Sequence, residues 1–157
     1  MAAVLSDRKN IQAAEAQILV ADDEAAILDL TLALLREEGY RVTPAINGDI
    51  ALVILEQGLP FQLLITDIAM PGLLDGYALA RKARELRPDM QIIYMTGFAS
   101  MANVRSRGAP YGQTIIKPWN TQVLLGAVGA VIRVRAENRA REIDLDTPRP
   151  IMASRHS

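Results

Sequence analysis

The sequence has no cysteine in its 157 residues and a single histidine. The first absence excludes disulfides, thiolate metal sites and cysteine nucleophiles, and it suits a reducing compartment. The histidine, His156, lies next to the end of the given chain, where an ordinary terminal residue is expected rather than a phosphorelay histidine. Neither charge sign is in excess. Seventeen Lys and Arg stand against 18 Asp and Glu, for a net charge of −1, so nothing in the overall balance points to nucleic acid or to an anionic membrane. Long apolar runs are missing as well. The longest, Val123–Ile132, is too short and too glycine-containing to span a bilayer. The first 17 residues carry Asp7, Arg8, Lys9 and Glu15 and no apolar segment, so they do not read as a secretory signal. There is no internal repeat, no helix-turn-helix pattern and no large basic patch. The expected setting is the cytoplasm, with no nucleic-acid or membrane partner.

Short apolar runs are present, and each ends in a polar signal. Ile18-Leu19-Val20-Ala21 is followed by Asp22-Asp23, and Leu63-Leu64-Ile65-Thr66 by Asp67. Ile92-Ile93-Tyr94-Met95 is followed by Thr96, and Thr114-Ile115-Ile116 by Lys117-Pro118. Such runs read as buried parallel strands. Tyr40–Ala45 adds a strand that Pro44 places at a sheet edge. Helical periodicity fills the gaps. Glu24–Glu38 ends at Gly39, and Asn47 caps a helix closed by Gly58. Asp75 opens a helix stopped by Pro88, and Ala99–Arg107 forms a weak helix. Asn120 caps a last helix with Val123, Leu124, Ala127, Val131 and Val134 on one side. Five strands alternating with about five helices predict a parallel α/β sheet covered on both faces. The expected organisation is a flexible tail over 1–16, a domain over 17–135, and a helix extension to about Arg141 passing into a disordered tail within 136–157.

Chemistry in an open α/β sheet gathers at the carboxyl ends of the strands. Taken singly, Asp-Asp before a helix is an ordinary cap, Asp67 and Thr96-Gly97 are turn residues, and Lys117 is a surface lysine. Taken together they deliver three carboxylates, a hydroxyl and an ammonium to one crevice. Clustered carboxylates ionise together only when a cation neutralises them. An oxygen-only site of this kind suits Mg²⁺, with Mn²⁺ as an alternative. A carboxylate can also attack phosphorus, and phosphoryl transfer needs a metal, a lysine and hydrogen-bond donors around the equatorial oxygens.

Ile18–Glu24, Asp67-Ile68-Ala69-Met70-Pro71-Gly72, Met95-Thr96-Gly97 and Lys117-Pro118-Trp119 resemble the receiver domain of bacterial two-component response regulators, over about Gln17 to Arg133. The resemblance implies a flavodoxin-like, doubly wound five-stranded sheet of order 2-1-3-4-5. It implies that Asp67 accepts phosphoryl from a histidine kinase or phosphotransfer protein, that Asp23 binds Mg²⁺ directly and Asp22 through water, and that the Ala69 carbonyl completes the metal shell. Lys117 then pairs with the acyl phosphate, Thr96 swings toward it, and the bond before Pro118 is cis. The chain is thus expected to be no enzyme beyond catalysing its own phosphorylation and slow dephosphorylation.

Three departures from the family pattern stand out. The segment from Asp67 to Asp75-Gly76 is one residue longer than the commonest spacing, as in receivers attached to hybrid kinases. Thr114 stands where many receivers carry a switching Tyr or Phe, leaving Phe98 as a substitute aromatic. Ala69 and Phe98 are both apolar where they would flank the phosphate, which predicts restricted water attack. Trp119 is expected to pack at the start of the last helix. The reading is a stand-alone receiver signalling to a downstream protein through the face of its fourth helix, fifth strand and fifth helix. The alternatives are a receiver excised from a hybrid sensor kinase and, less favoured because Ala69 occupies the position of a second acid, a Mg²⁺-dependent aspartyl-phosphate phosphatase.

Overall fold

The computed structural model describes residues 16–97, 100–146 and 148. Of the tail expected over 1–16 only Ala16 is described, and it is buried in the domain with its carbonyl accepting Arg41 N–H; Phe98, Ala99, His156 and nearly all of the expected C-terminal tail lie outside that set. Five strands and five helices alternate. They are β1 (Gln17–Ala21), α1 (Ala25–Glu37), β2 (Arg41–Ala45), α2 (Gly48–Glu56), β3 (Leu63–Asp67), α3 (Gly76–Leu86), β4 (Gln91–Thr96), α4 (Met101–Arg107), β5 (Gly112–Ile116) and α5 (Thr121–Asp146). The strands form one parallel sheet of order β2-β1-β3-β4-β5, as expected. Pro44 lies in the edge strand β2, opposite Val20, where its missing N–H is tolerated.

Strand alternation divides the core in two. Leu19, Ala21, Leu64, Ile92 and Tyr94 face one side, covered by Ala51 and Leu55 of α2 and by Tyr77, Leu79, Ala80 and Ala83 of α3. Ile18, Val20, Leu63, Ile65, Ile93, Met95 and Ile115 face the other, covered by Leu28, Leu32 and Leu35 of α1 and by Leu124, Val128 and Ile132 of α5. Trp119 packs at the border of this second cluster, as expected of a packing residue.

Local chemistry sets the helix ends. Asn47, Asp75 and Asn120 each accept the backbone N–H three residues on, from Ile50, Ala78 and Val123, all at 2.8 Å. Gly39 closes α1 at φ 94°, a left-handed conformation that glycine adopts without strain.

One helix differs from expectation. In α5 the buried residues are Leu124, Val128 and Ile132, while Val123 and Val134 are exposed. Apolar residues occupy nearly every position from 123 to 134, so the sequence does not reveal which i, i+4 row meets the sheet. The helix also continues to Asp146, past the expected end near Arg141. Helix α4 is weakly packed, as expected: it buries none of its residues fully, and Val104 packs partly buried against the first core cluster. Its far end is also tied down by polar contacts. The Tyr77 hydroxyl donates to the Gly108 carbonyl at 2.8 Å, and the Arg107 guanidinium lies 3.9 Å from the centre of the Tyr77 ring. The Tyr94 hydroxyl donates to the Pro110 carbonyl at 2.8 Å, and burial pushes its pKa up to about 12.

Candidate functional site

The topology fixes where the site must lie. The connection through α1 carries the chain to one side of β1, and the connection through α2 carries it to the other side, so the strand order reverses between β1 and β3. Asp22 leaves β1 and Asp67 ends β3, which brings both carboxylates to the switch point where α/β sheets bind ligands.

The turn after β1 separates its two aspartates. Asp22 N–H donates to the Ala45 carbonyl at 3.1 Å, and Asp22 Oδ1 accepts from Glu24 N–H at 2.9 Å. These bonds hold Asp22 inward and buried, leave Asp23 exposed, and bring Glu24 over the crevice. Carboxylate oxygens of Asp22, Glu24 and Asp67 lie within 4.8 Å of one another, the one such cluster among the described residues. Asp23, expected as the direct metal ligand, is not in it, and Glu24 is. The signal for Glu24 was present in the sequence, since it is the third acid of an unbroken run, but nothing there told which way each side chain turns.

Lys117 completes the cluster. Its Nζ lies 2.8 Å from Asp22 Oδ2, 3.2 Å from Asp67 Oδ2 and 3.4 Å from Glu24 Oε1. The side chains of Lys117, Asp22 and Asp67 are 12%, 0% and 9% exposed, against 62% for Glu24. Lys117 is therefore a buried cation facing more negative charge than it can neutralise. Burial works against its charged form, yet the hydrogen bond and charge of Asp22, followed by Asp67, win and raise its pKa. Asp67 is also raised. Burial is the main cause and the Asp22 charge adds to it, against the opposing pull of Lys117. The bond between Lys117 and Pro118 is cis, as the resemblance implied.

Thr96 ends β4 beside the cluster and is buried. Its carbonyl accepts Lys117 N–H at 2.7 Å, so the two residues are coupled through the backbone, while its Oγ1 donates to the Gly97 carbonyl at 3.2 Å. The loop after Asp67 is held from outside. Asp49, in the first turn of α2, accepts the N–H groups of Leu73 and Leu74 at 3.2 and 3.1 Å. Gly76 N–H donates to the Ile68 carbonyl at 2.8 Å, and a Cβ on Gly76 would stand 2.1 Å from the Asp67 carbonyl oxygen. Only glycine lets α3 begin so close to the end of β3. Asp49 was not singled out from the sequence, and Gly76 only as the end of the loop after Asp67, because the close approaches they make exist only once the fold is formed.

The residues expected to modulate the site are distributed unevenly. Ala69 is exposed beside Asp67. Phe98 lies outside the described residues. Thr114 pairs with Tyr94 across β4 and β5, and its Oγ1 is shut away from solvent without a hydrogen-bond partner.

The donor set fits a hard divalent cation, since three oxygen-bearing side chains converge around a single ammonium. Comparison with known proteins agrees with the geometry. Residues 18–129 match the response regulator receiver domain family. The chain is 37% identical over 113 residues to the response regulator receiver protein CpdR of Brucella abortus, covering 71% of this chain and 92% of that protein. It is 34% identical over 92 residues to the sensor kinase CckA of the same organism, covering 58% of this chain and 10% of the kinase. A response regulator receiver protein from Sinorhizobium medicae, whose crystal structure is known, superposes with a TM-score of 0.70 at 34% identity, covering 76% of this chain and 96% of that one. The chain spans about half the length of several transcriptional regulators it also matches. No helix among the described residues is long and apolar enough to cross a membrane. With its sheet order, its acidic pocket and its buried lysine, the chain belongs to the response regulator receiver domain family, whose members are signalling modules rather than conventional enzymes.

Proposed function

We propose that this chain is a phosphorylation-switched receiver that accepts a phosphoryl group on Asp67 from a histidine kinase or histidine phosphotransfer protein in the cytoplasm, and signals through protein contacts. The observation that carries the reading is the contact of the buried Lys117 ammonium with both Asp67 and Asp22. An Asp67 oxygen attacks the phosphorus of a phosphohistidine, the P–N bond breaks, and the departing imidazole takes up a proton. Lys117 neutralises one oxygen of the arriving group, and the Thr96 hydroxyl leaves the Gly97 carbonyl to donate to another. Mg²⁺ would be held by Asp22, Asp67, the acids that follow Asp22 and the Ala69 carbonyl, and when bound it supplies the positive charge that lets carboxylate and phosphate approach. Attacking water meets the apolar Ala69 at the pocket rim, which favours a long-lived acyl phosphate.

The output face is formed by α4, β5 and α5, where α4 is held by few contacts. Phosphorylation shifts a pre-existing equilibrium there. A second reading, a receiver working inside a hybrid kinase, draws on the similarity to a sensor kinase and on the long segment between Asp67 and Gly76. The full-length gene distinguishes the two.

The test is incubation with a small phosphodonor and Mg²⁺, followed by intact-mass measurement and amide spectra. Addition of one phosphoryl group, with shifts around residues 100–106 and Thr114, is expected. Turnover of the donor without accumulation of phosphoprotein would favour a phosphatase instead.

A further inference from the structure

Helix α5 outruns the domain it packs on. Its buried row Leu124, Val128 and Ile132 continues at the same spacing to Ala136 and Ala140, then to Ile143, but beyond Ile132 no described residue of the helix is buried. The overhang from residue 133 to 146 is roughly 20 Å long at 1.5 Å per residue. The Arg135 guanidinium ties its first turn to Asp89 in the loop after α3, and a helix segment of that length with so little further tertiary packing is marginal in water.

Two clefts open against the overhang, at the edge of the sheet away from Asp67. One of about 370 Å³ is walled by Ile132, Ala136, Ala140 and Ile143. The other, of about 620 Å³, has Arg84, Arg87, Arg135 and Arg139 in its walls, together with Asp89, which pairs with Arg135, and Glu142. Charge along the overhang is segregated. Arg133, Arg135, Arg139 and Arg141 come first, with Glu137 among them, and Glu142, Asp144 and Asp146 come last.

We propose that the occupant of this face is a second copy of the chain, its α5 overhang lying antiparallel to the first about a two-fold axis near Ala140. Antiparallel pairing sets the acidic end of each helix against the arginine stretch of the other. Parallel pairing would stack like charges. The two alanines let the helix axes approach closely, and each copy's Ile143 enters the smaller cleft of its partner, against Ile132 and the alanines. A two-fold interface requires a self-complementary patch, and this one is basic at one end, acidic at the other and apolar between. The inference is independent of the phosphoryl chemistry.

Sedimentation equilibrium of the full chain over a concentration series tests it. The mass should rise from one copy to two, and Ala140→Glu should weaken association at least tenfold. An amide spectrum of residues 17–132 that stays that of the wild type shows that the variant is folded. A spin label on Val123→Cys, the sole cysteine of that variant, reads orientation. Two labels should lie about 50 Å apart in the antiparallel dimer, counting 1.5 Å per residue along both helices. A chain that stays monomeric, an Ala140→Glu variant that dimerises like the wild type, or labels only about 20 Å apart would each overturn the proposal.

Discussion

Replacing Asp67 by asparagine is expected to stabilise the metal-free fold at neutral pH, because the site holds more negative charge than stability alone requires. The Asp67 carboxylate gains from Lys117 at 3.2 Å, an attraction of about 5 kcal/mol at an effective dielectric of 20. It is repelled by Asp22 and Glu24, whose carboxylate oxygens lie within 4.8 Å. The buried Asp22 alone contributes about 3.5 kcal/mol on the same scale, and the exposed Glu24 a screened fraction of that. The two sides come close to cancelling, which leaves the cost of burying the carboxylate uncompensated. Asparagine keeps the shape and can still accept from Lys117, whose charge remains paired with Asp22 at 2.8 Å. The expected gain is about 2 kcal/mol, or about 6 °C in the thermal midpoint for a domain of this size.

The pH dependence follows from the raised pKa of Asp67. The folded protein holds this proton more tightly than the unfolded chain does, so acid favours the wild-type fold relative to the variant. The advantage of the asparagine variant should therefore be full above the folded-state pKa, shrink as pH falls through it, and vanish below the ordinary carboxylate value of about 3.9. Saturating Mg²⁺ should also narrow the gap by stabilising the wild type. Urea unfolding of both proteins at several pH values measures all of this. A variant less stable than wild type at pH 7 without Mg²⁺ would refute the electrostatic reasoning.

Further outcomes follow from the same contacts. Lys117→Met should destabilise by about 3–5 kcal/mol, since it strands the buried Asp22 carboxylate, and lowering the pH should restore part of the loss. Thr114→Val removes a buried hydroxyl without a partner and should stabilise by about 1 kcal/mol in thermal melts; a loss of that size would mean the hydroxyl is bonded. Gly76→Ala drives a methyl against the Asp67 carbonyl and should cost about 2 kcal/mol or more in urea unfolding, together with slower phosphorylation of Asp67.

Most of the framework was legible in the sequence because its signals are local. Apolar runs of Ile, Leu and Val marked the strands, and Asn47, Asp75 and Asn120 marked helix starts by a bond that spans three residues. Asp22, Asp67 and Lys117 could be placed together because parallel strands deliver their carboxyl ends to one edge. What escaped depends on rotation or on distance along the chain. The turn that buries Asp22 sends Asp23 outward and Glu24 over the pocket, and three consecutive acids do not encode which of them faces in. The packed face of α5 was hidden by valines and alanines on all sides. Asp49 supports a loop 24 and 25 residues further along, a relation that exists only once α2 and α3 pack on the same face of the sheet.

The central claim is that Asp67 is the phosphoacceptor. Phosphotransfer profiling tests it most directly, by mixing the wild type and Asp67→Asn with a panel of radiolabelled, autophosphorylated histidine kinases in the presence of Mg²⁺. The account predicts rapid transfer of label from at least one kinase to the wild type, in an acid-stable, alkali-labile form, and none to the variant. Label that appears equally on both proteins, or a wild type that no kinase labels while small phosphodonors also fail, would contradict it.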